Sequence, residues 1–274
     1  YQISTVFRDD EVDKGHYREF TQCDADVVGV SDLTADAEIV MMAHEGLNRL
    51  GVGPFVIKIN HRKVLTALAR KAKEEYLLVQ RGLDAVCKRL ESADSVKLGG
   101  IVTNVLSRRG LSQHGIDVIR EALEKLAPRR NFQSKLQALR EILADYPEGI
   151  QGIAELEELF DYLHTKAQQV IRLDLTLARG ADYYTGFILE GNLVGSSVGA
   201  VLGGGRFDNL VADLGGPDLP AVGMAFGLER LLVSLEGTQV EIGRHNFRIL
   251  VTPRKKDERS KLLAFTRTTR RGEN

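Results

Sequence analysis

The chain has 274 residues, 43% hydrophobic and 27% charged, with 37 Lys+Arg against 38 Asp+Glu and a formal net charge of -1. That length buries a substantial core, and the near-zero balance excludes a polyelectrolyte whose total charge alone demands nucleic acid or an anionic membrane. No apolar run reaches the roughly 18 residues of a bilayer span, and the opening YQISTVFRDD lacks the basic and apolar regions of a secretory signal; the reading is cytoplasmic, with no membrane partner.

Cys23 and Cys87 are too far apart for a metal-ligand pair and too few for a disulfide framework, so both read as free thiols. In chain order, YQISTVFR and DADVVGV are strand-like. A helix follows, with Thr34 as its N-cap, Val40, Ala43, Leu47 and Leu50 at helical spacing, and Gly51 as its stop; FVIKIN then alternates as a strand. Residues 62–168 change to helical periodicity. Within them, 81–140 carries twelve Lys+Arg against six Asp+Glu, an excess of +6 that faces either RNA or only solvent.

Strand patterning returns at IRLDLTL, where Ile171, Leu173, Leu175 and Leu177 share one face. FILEGNL and VGAVL read as further strands, GGGRFDNLVADLGG as a tight glycine turn into a short helix, and AVGMAF as a buried strand entering the helix GLERLLVSL. Short turns between two-faced strands favour an antiparallel sheet.

The common nucleotide motifs are absent: GGGR at 203–206 is no P-loop, and no G-x-G-x-x-G opens a helix. Gly203, Gly204 and Gly205 supply either a turn or a close backbone approach for a ligand. His44, His61, His114, His164 and His245 show no metal spacing and read as satisfied or exposed side chains, so no metal site is expected. Successive residues on a strand point to opposite faces, so Tyr183 and Tyr184 would diverge if they lie on one.

Phe7-Arg8-Asp9-Asp10, the loop EVDKG, and then the run from His16 through Phe20 to Asp24 resemble the second signature of class II aminoacyl-tRNA synthetases. Asp10 stands where glutamate is usual. AVGMAFGLERLL, 221–232, resembles the third signature, with Arg230 as its arginine. LARGADYYTG, 177–186, is similar to LARGLDYYTG, the histidine-specific signature of histidyl-tRNA synthetases, with Ala181 as the one change.

The resemblance implies an α+β fold: a class II synthetase-like antiparallel β-sheet flanked by helices, with a helical insertion domain. The catalytic domain would occupy 1–61 and 169–240, the insertion 62–168, and a linker or truncated anticodon-binding domain 241–274. It implies histidine-tRNA ligase activity on L-histidine, ATP with Mg2+, and tRNA(His), in a homodimer. In the family the first signature and an acidic loop for the substrate α-amino group precede the point where this chain opens, so a longer parent is expected.

By the same resemblance Arg8 and Arg179 are catalytic at the α-phosphate. Arg8, Asp10, His16, Phe20 and Arg230 bind ATP, with Arg230 stacked on adenine. Gln22, Asp26, Arg179, Tyr183, Tyr184 and Gly204 bind histidine, Asp26 and Tyr184 complementing the donor and acceptor of neutral imidazole. Two other functions fit the same family: a histidine-binding regulatory subunit like that of ATP phosphoribosyltransferase, and a tRNA-sensing domain of a stress kinase. Retention of Arg8, Arg179 and Arg230 favours the ligase.

Overall fold

The computed structural model describes residues 1–9, 17–91, 98–178, 183–196 and 198–235. The expectations for Asp10, His16, Arg179 and the segment 241–274 fall outside them.

The first strand, β1 (Gln2–Phe7), is followed by β2 (Glu19–Val28), helix α1 (Leu33–Leu50) and β3 (Phe55–His61). Seven helices then run consecutively: α2 (Arg62–Ala72), α3 (Tyr76–Glu91), α4 (Leu98–Arg108), α5 (Gln113–Leu126), α6 (Phe132–Ile142), α7 (Pro147–Tyr162) and α8 (Thr165–Val170). The chain returns to the sheet through β4 (Ile171–Leu173), β5 (Phe187–Leu193), β6 (Leu202–Arg206), the short α9 (Leu210–Asp213), β7 (Ala221–Gly227) and α10 (Leu228–Leu235).

The strands form one seven-stranded sheet in the order β1-β2-β7-β6-β5-β3-β4. Five of its six ladders are antiparallel, as the patterning predicts; β3 and β4 pair in parallel, because the helical insertion between them acts as a crossover. One face packs on helices. Val222, Met224, Leu202, Leu189, Ile57 and Ile59 are buried there with Val40, Ala43 and Leu47 of α1 in a single core.

Four local expectations are corrected. Asp32, not Thr34, caps α1: its carboxylate accepts from Thr34 N at 2.8 Å, while Gly51 ends the helix in the left-handed region at φ 63°. The strand expected over 171–177 stops at Leu173 because Asp174 accepts from the Thr176 backbone N–H at 3.0 Å and from its hydroxyl at 2.7 Å, folding the chain into a turn. VGAVL makes no strand of its own. The glycines of LGGGR form no turn: they lie within β6, between β5 and β7.

The described histidines, His44, His61, His114 and His164, find local partners. His164 caps α8 by accepting from Ala167 N at 3.1 Å, and its ring stands edge-on to that of His44 at 5.1 Å. His61, 1% exposed, accepts at Nδ1 from Lys63 N (3.2 Å), so its Nε2–H points to Glu155 at 2.8 Å on α7, tying β3 to the insertion. Burial lowers the His61 pKa, with Glu155 opposing. Burial also acts on Glu155, but its hydrogen bonds from His61 and Lys63 hold it down at about 2.

Both groups bind protons more weakly in the folded chain, so the unfolded state takes up more protons on acidification. Stability from this pair is full above the unfolded histidine value of about 6.5, begins to fall below it, and falls further below about 4.5 as Glu155 of the unfolded chain protonates. The thermal midpoint should therefore drop as pH falls through 6.5, and His61→Gln should flatten that first decline. Equal slopes in the two proteins, read by circular dichroism, would remove His61 as the cause.

Candidate active site

Side chains directly opposite each other on paired strands share a face. The face away from α1 therefore carries two rows read across the sheet. One runs Asp26, Gly223, Gly205, Ile188, Asn60; the other runs Asp24, Ala225, Gly203, Glu190, Lys58. Between the carboxylates of β2 and the side chains of β5 lies a floor of glycine and alanine two strands wide.

Its surroundings explain the small residues. A methyl at Gly223 would collide with Asp26 Oδ1, and one at Gly205 would meet the Tyr184 ring at 3.0 Å. At Gly203 the space above is open, with Leu189 O the nearest contact at 3.8 Å. Gly204 points the other way, where a methyl would strike Gly223 O and Met224. Gly203 and Gly205 thus line the floor, and Gly204, the glycine expected there, lets two strands approach closely.

Arg8 stands past the end of β1, its backbone N–H donating to Arg18 O at 2.9 Å. Its guanidinium lies 5.2 Å from the centre of the Phe20 ring and donates to Gln22 Oε1 at 3.4 Å. Gln22 is opposite Gly227, and the stem of Arg230 passes 3.7 Å from where a Gly227 Cβ would stand; Arg230 donates to Ala200 O at 2.8 Å. Arg8, Phe20, Gln22 and Arg230 thus gather at one end of the floor. Asp26, Tyr183 and Tyr184 gather at the other.

Tyr183 and Tyr184 do not diverge as strand neighbours would. They lie before β5 in a turn, with ring centroids 4.8 Å apart. Tyr183 is 40% exposed, whereas burial, with Tyr183 adding to it, pushes the Tyr184 phenol above its ordinary value and keeps it neutral. Burial raises Asp26 and Asp24 as well; the Asp24 charge adds to the effect on Asp26, and Arg8 opposes the one on Asp24. Asp24 Oδ1 is buried and has no hydrogen-bond partner.

Sequence reasoning missed several groups. Glu229 accepts from Thr21 N with both oxygens, at 2.8 and 2.9 Å, tying the start of α10 to β2 beside Phe20. Arg206, Asp208 and Thr185 form a network below the tyrosines; its one sequence signal is an arginine inside an otherwise apolar and glycine strand. Neither cysteine forms a disulfide and both are half-buried, in agreement with the thiol reading.

A family model for Histidyl-tRNA synthetase matches residues 1–231. The chain belongs to the histidyl-tRNA synthetase family. A histidine–tRNA ligase of Cytophaga hutchinsonii is 38% identical over 238 residues, 84% of this chain and 49% of the relative. The chain thus spans about half the length of the curated relatives it matches. The crystal structure of histidyl-tRNA synthetase from Nostoc sp. PCC 7120 superposes with a TM-score of 0.71 at 25% identity, covering 99% of this chain and 62% of that one. A structure described as an ATP phosphoribosyltransferase regulatory subunit/histidyl-tRNA synthetase from Bacillus halodurans C shares the fold, with a TM-score of 0.66 at 20% identity over 98% of this chain and 64% of the other. Membership of the family accounts for the class II synthetase-like fold, a mixed sheet flanked by helices.

Proposed function

We propose that this chain is the catalytic core of a histidine–tRNA ligase. The observation that carries the proposal is the row Asp26-Gly223-Gly205, which ends beneath Tyr184 at one end of a bare floor whose other end holds Arg8. From β2 to β6 is two strand spacings, about 10 Å between backbones, which leaves room for an imidazole between a carboxylate and a phenol. A neutral imidazole has one N–H donor and one acceptor nitrogen; Asp26 accepts from the first and the protonated Tyr184 phenol donates to the second.

With histidine held there, its carboxylate oxygen attacks the α-phosphorus of ATP. The bond to pyrophosphate breaks, and histidyl-adenylate forms without a protein nucleophile. A ribose hydroxyl at the 3′ end of tRNA(His) then attacks the adenylate carbonyl, and AMP leaves. Arg8 supports the phosphate oxygens as they gain charge, with Arg179 doing the same from the histidine side by family analogy. Phe20 and Arg230 hold adenine, Gln22 the substrate amine, Tyr183 the pocket wall, and Asp10 and His16 the remaining ATP contacts.

Magnesium is assigned to the ATP phosphates, as part of the substrate. No described helix is long and apolar enough to cross a membrane. A homodimer in the cytoplasm, with the basic insertion along the tRNA acceptor arm, completes the proposal.

The fold alone does not separate a ligase from a regulatory relative; the presence of Arg8, Arg179 and Arg230 in the sequence supports the ligase reading. Histidine-dependent exchange of labelled pyrophosphate into ATP, by this chain and by a longer chain containing it, tests the reading. Exchange is expected. Histidine binding with no exchange from either chain would replace the ligase by the regulatory reading.

A further inference from the structure

We infer that Arg206, Asp208 and Thr185 form a positioning device that holds the Tyr183-Tyr184 pair over the glycine floor and thereby sets the affinity for the amino-acid side chain. The second half rests on the proposed histidine pocket; the first stands on geometry alone.

Arg206 closes β6 and is only 6% exposed. Its Nε donates to Asp36 Oδ1 at 2.9 Å, and its Nη2 also pairs with Asp36, a carboxylate fully buried on α1. Nη1 donates to Val30 O at 3.1 Å and to Asp208 Oδ1 at 3.0 Å, and Nη2 reaches Asp32 O at 3.4 Å. One guanidinium thus joins the loop after β2, the first turn of α1 and the turn after β6. Burial opposes its charge, and Asp36 and Asp208 outweigh that, so Arg206 stays protonated.

The tyrosine turn hangs on the other side of this arginine. Thr185 N–H donates to Arg206 O at 2.8 Å, the Thr185 hydroxyl donates to Asp208 Oδ2 at 3.0 Å, and Thr185 Oγ1 accepts from Asp208 N at 3.1 Å. A methyl at Gly186 would meet the Arg206 stem at 2.9 Å, so the chain passes flat against it. Phe207, between Arg206 and Asp208, packs edge-on to Tyr183 at 5.8 Å and to Tyr184 at 6.4 Å.

A buried ion pair of this kind stabilises a fold little better than apolar side chains of the same volume; what it supplies is a single allowed geometry. Here that geometry decides where the Tyr184 ring stands against Gly205, with Tyr183 packed on it. Thr185 and Asp208 make their hydrogen bonds to each other and to Arg206, so they act through Tyr184 and are positioning residues.

The test uses Thr185→Val and Asp208→Asn, which spare the buried Arg206-Asp36 pair, with Tyr184→Phe to identify the phenol. The chain has no tryptophan, so tyrosinate absorbance reports its phenols without overlap from indole. In the unaltered chain one phenol, absent in Tyr184→Phe, should ionise later than the others. In both variants it should move toward the ordinary tyrosine value of about 10. By calorimetry the histidine Kd should rise about ten-fold, the loss of one hydrogen bond, and the ATP Kd should stay within about two-fold.

An unshifted Tyr184 titration in folded Thr185→Val and Asp208→Asn overturns the inference, whatever histidine does. A shifted titration with unchanged histidine affinity overturns its second half. An unaltered chain that does not bind histidine would instead defeat the proposed pocket, and the titration would still decide the positioning.

Discussion

Arg8→Ala should reduce histidine-dependent pyrophosphate exchange by about 10²- to 10³-fold, the loss seen when one preorganised donor to a developing charge is removed. The fold should survive the change. Arg8 is exposed, and among the described residues its side chain meets the face of Phe20 and makes a long hydrogen bond to Gln22. Histidine affinity should change little, because the Asp26 and Tyr184 end of the floor does not depend on Arg8 for its geometry. Arg8→Lys keeps the charge but loses the planar fork, so it should recover only part of the rate. Rate and binding are read separately: a fall in exchange at saturating histidine places Arg8 at the phosphate. A loss of histidine affinity at unchanged maximal rate would make Arg8 a support for Gln22.

The second large effect comes from one change made at neighbouring positions. Gly204→Ala drives a methyl into Gly223 O and to 2.7 Å from Met224 Cα, both backbone atoms that cannot swing aside. We expect a loss on the order of 3 kcal/mol, seen as a fall of about 6–12 °C in the thermal midpoint. Gly203→Ala meets no atom closer than 3.8 Å and should fold normally. Its methyl stands on the ligand side of the sheet, so affinity for a non-hydrolysable histidyl-adenylate analogue should fall about ten-fold or more. The two alanines therefore separate stability from binding. A Gly203→Ala chain that binds the analogue unchanged would show that the ligand does not lie on this floor.

Most of the sheet was legible from period alone. FVIKIN, FILEGNL and AVGMAF alternate or run apolar between turn residues, and each became a strand. LGGGR was not legible as β6, because glycine carries no side chain to mark a period; only hydrogen bonds from β5 and β7 on either side make it a strand. IRLDLTL misled for the opposite reason. Its alternation continues past Leu173, but the carboxylate of Asp174 competes for the backbone and turns the chain while Leu175 and Leu177 remain buried.

The site divides in the same way. Arg8, Phe20, Gln22 and Asp26 are spaced for one face of β2 and the end of β1, and the structure brings them together on it. Arg206 could not be ranked from sequence, since its partners Asp36 and Asp208 lie 170 and two residues away, and only packing shows that all three meet.

By itself the sequence determined most of the strands and helices in their order, the helical insertion and the membership of a synthetase family. These follow from local period and from motifs contiguous along the chain. The tertiary structure alone decided that glycines from two strands form a floor between the carboxylates of β2 and the side chains of β5, that Gly204 turns its back on it, and that a buried arginine anchors the tyrosine turn. Each of these depends on which strands become neighbours, and neighbours far apart in the chain are chosen by the burial of the whole sheet against its helices.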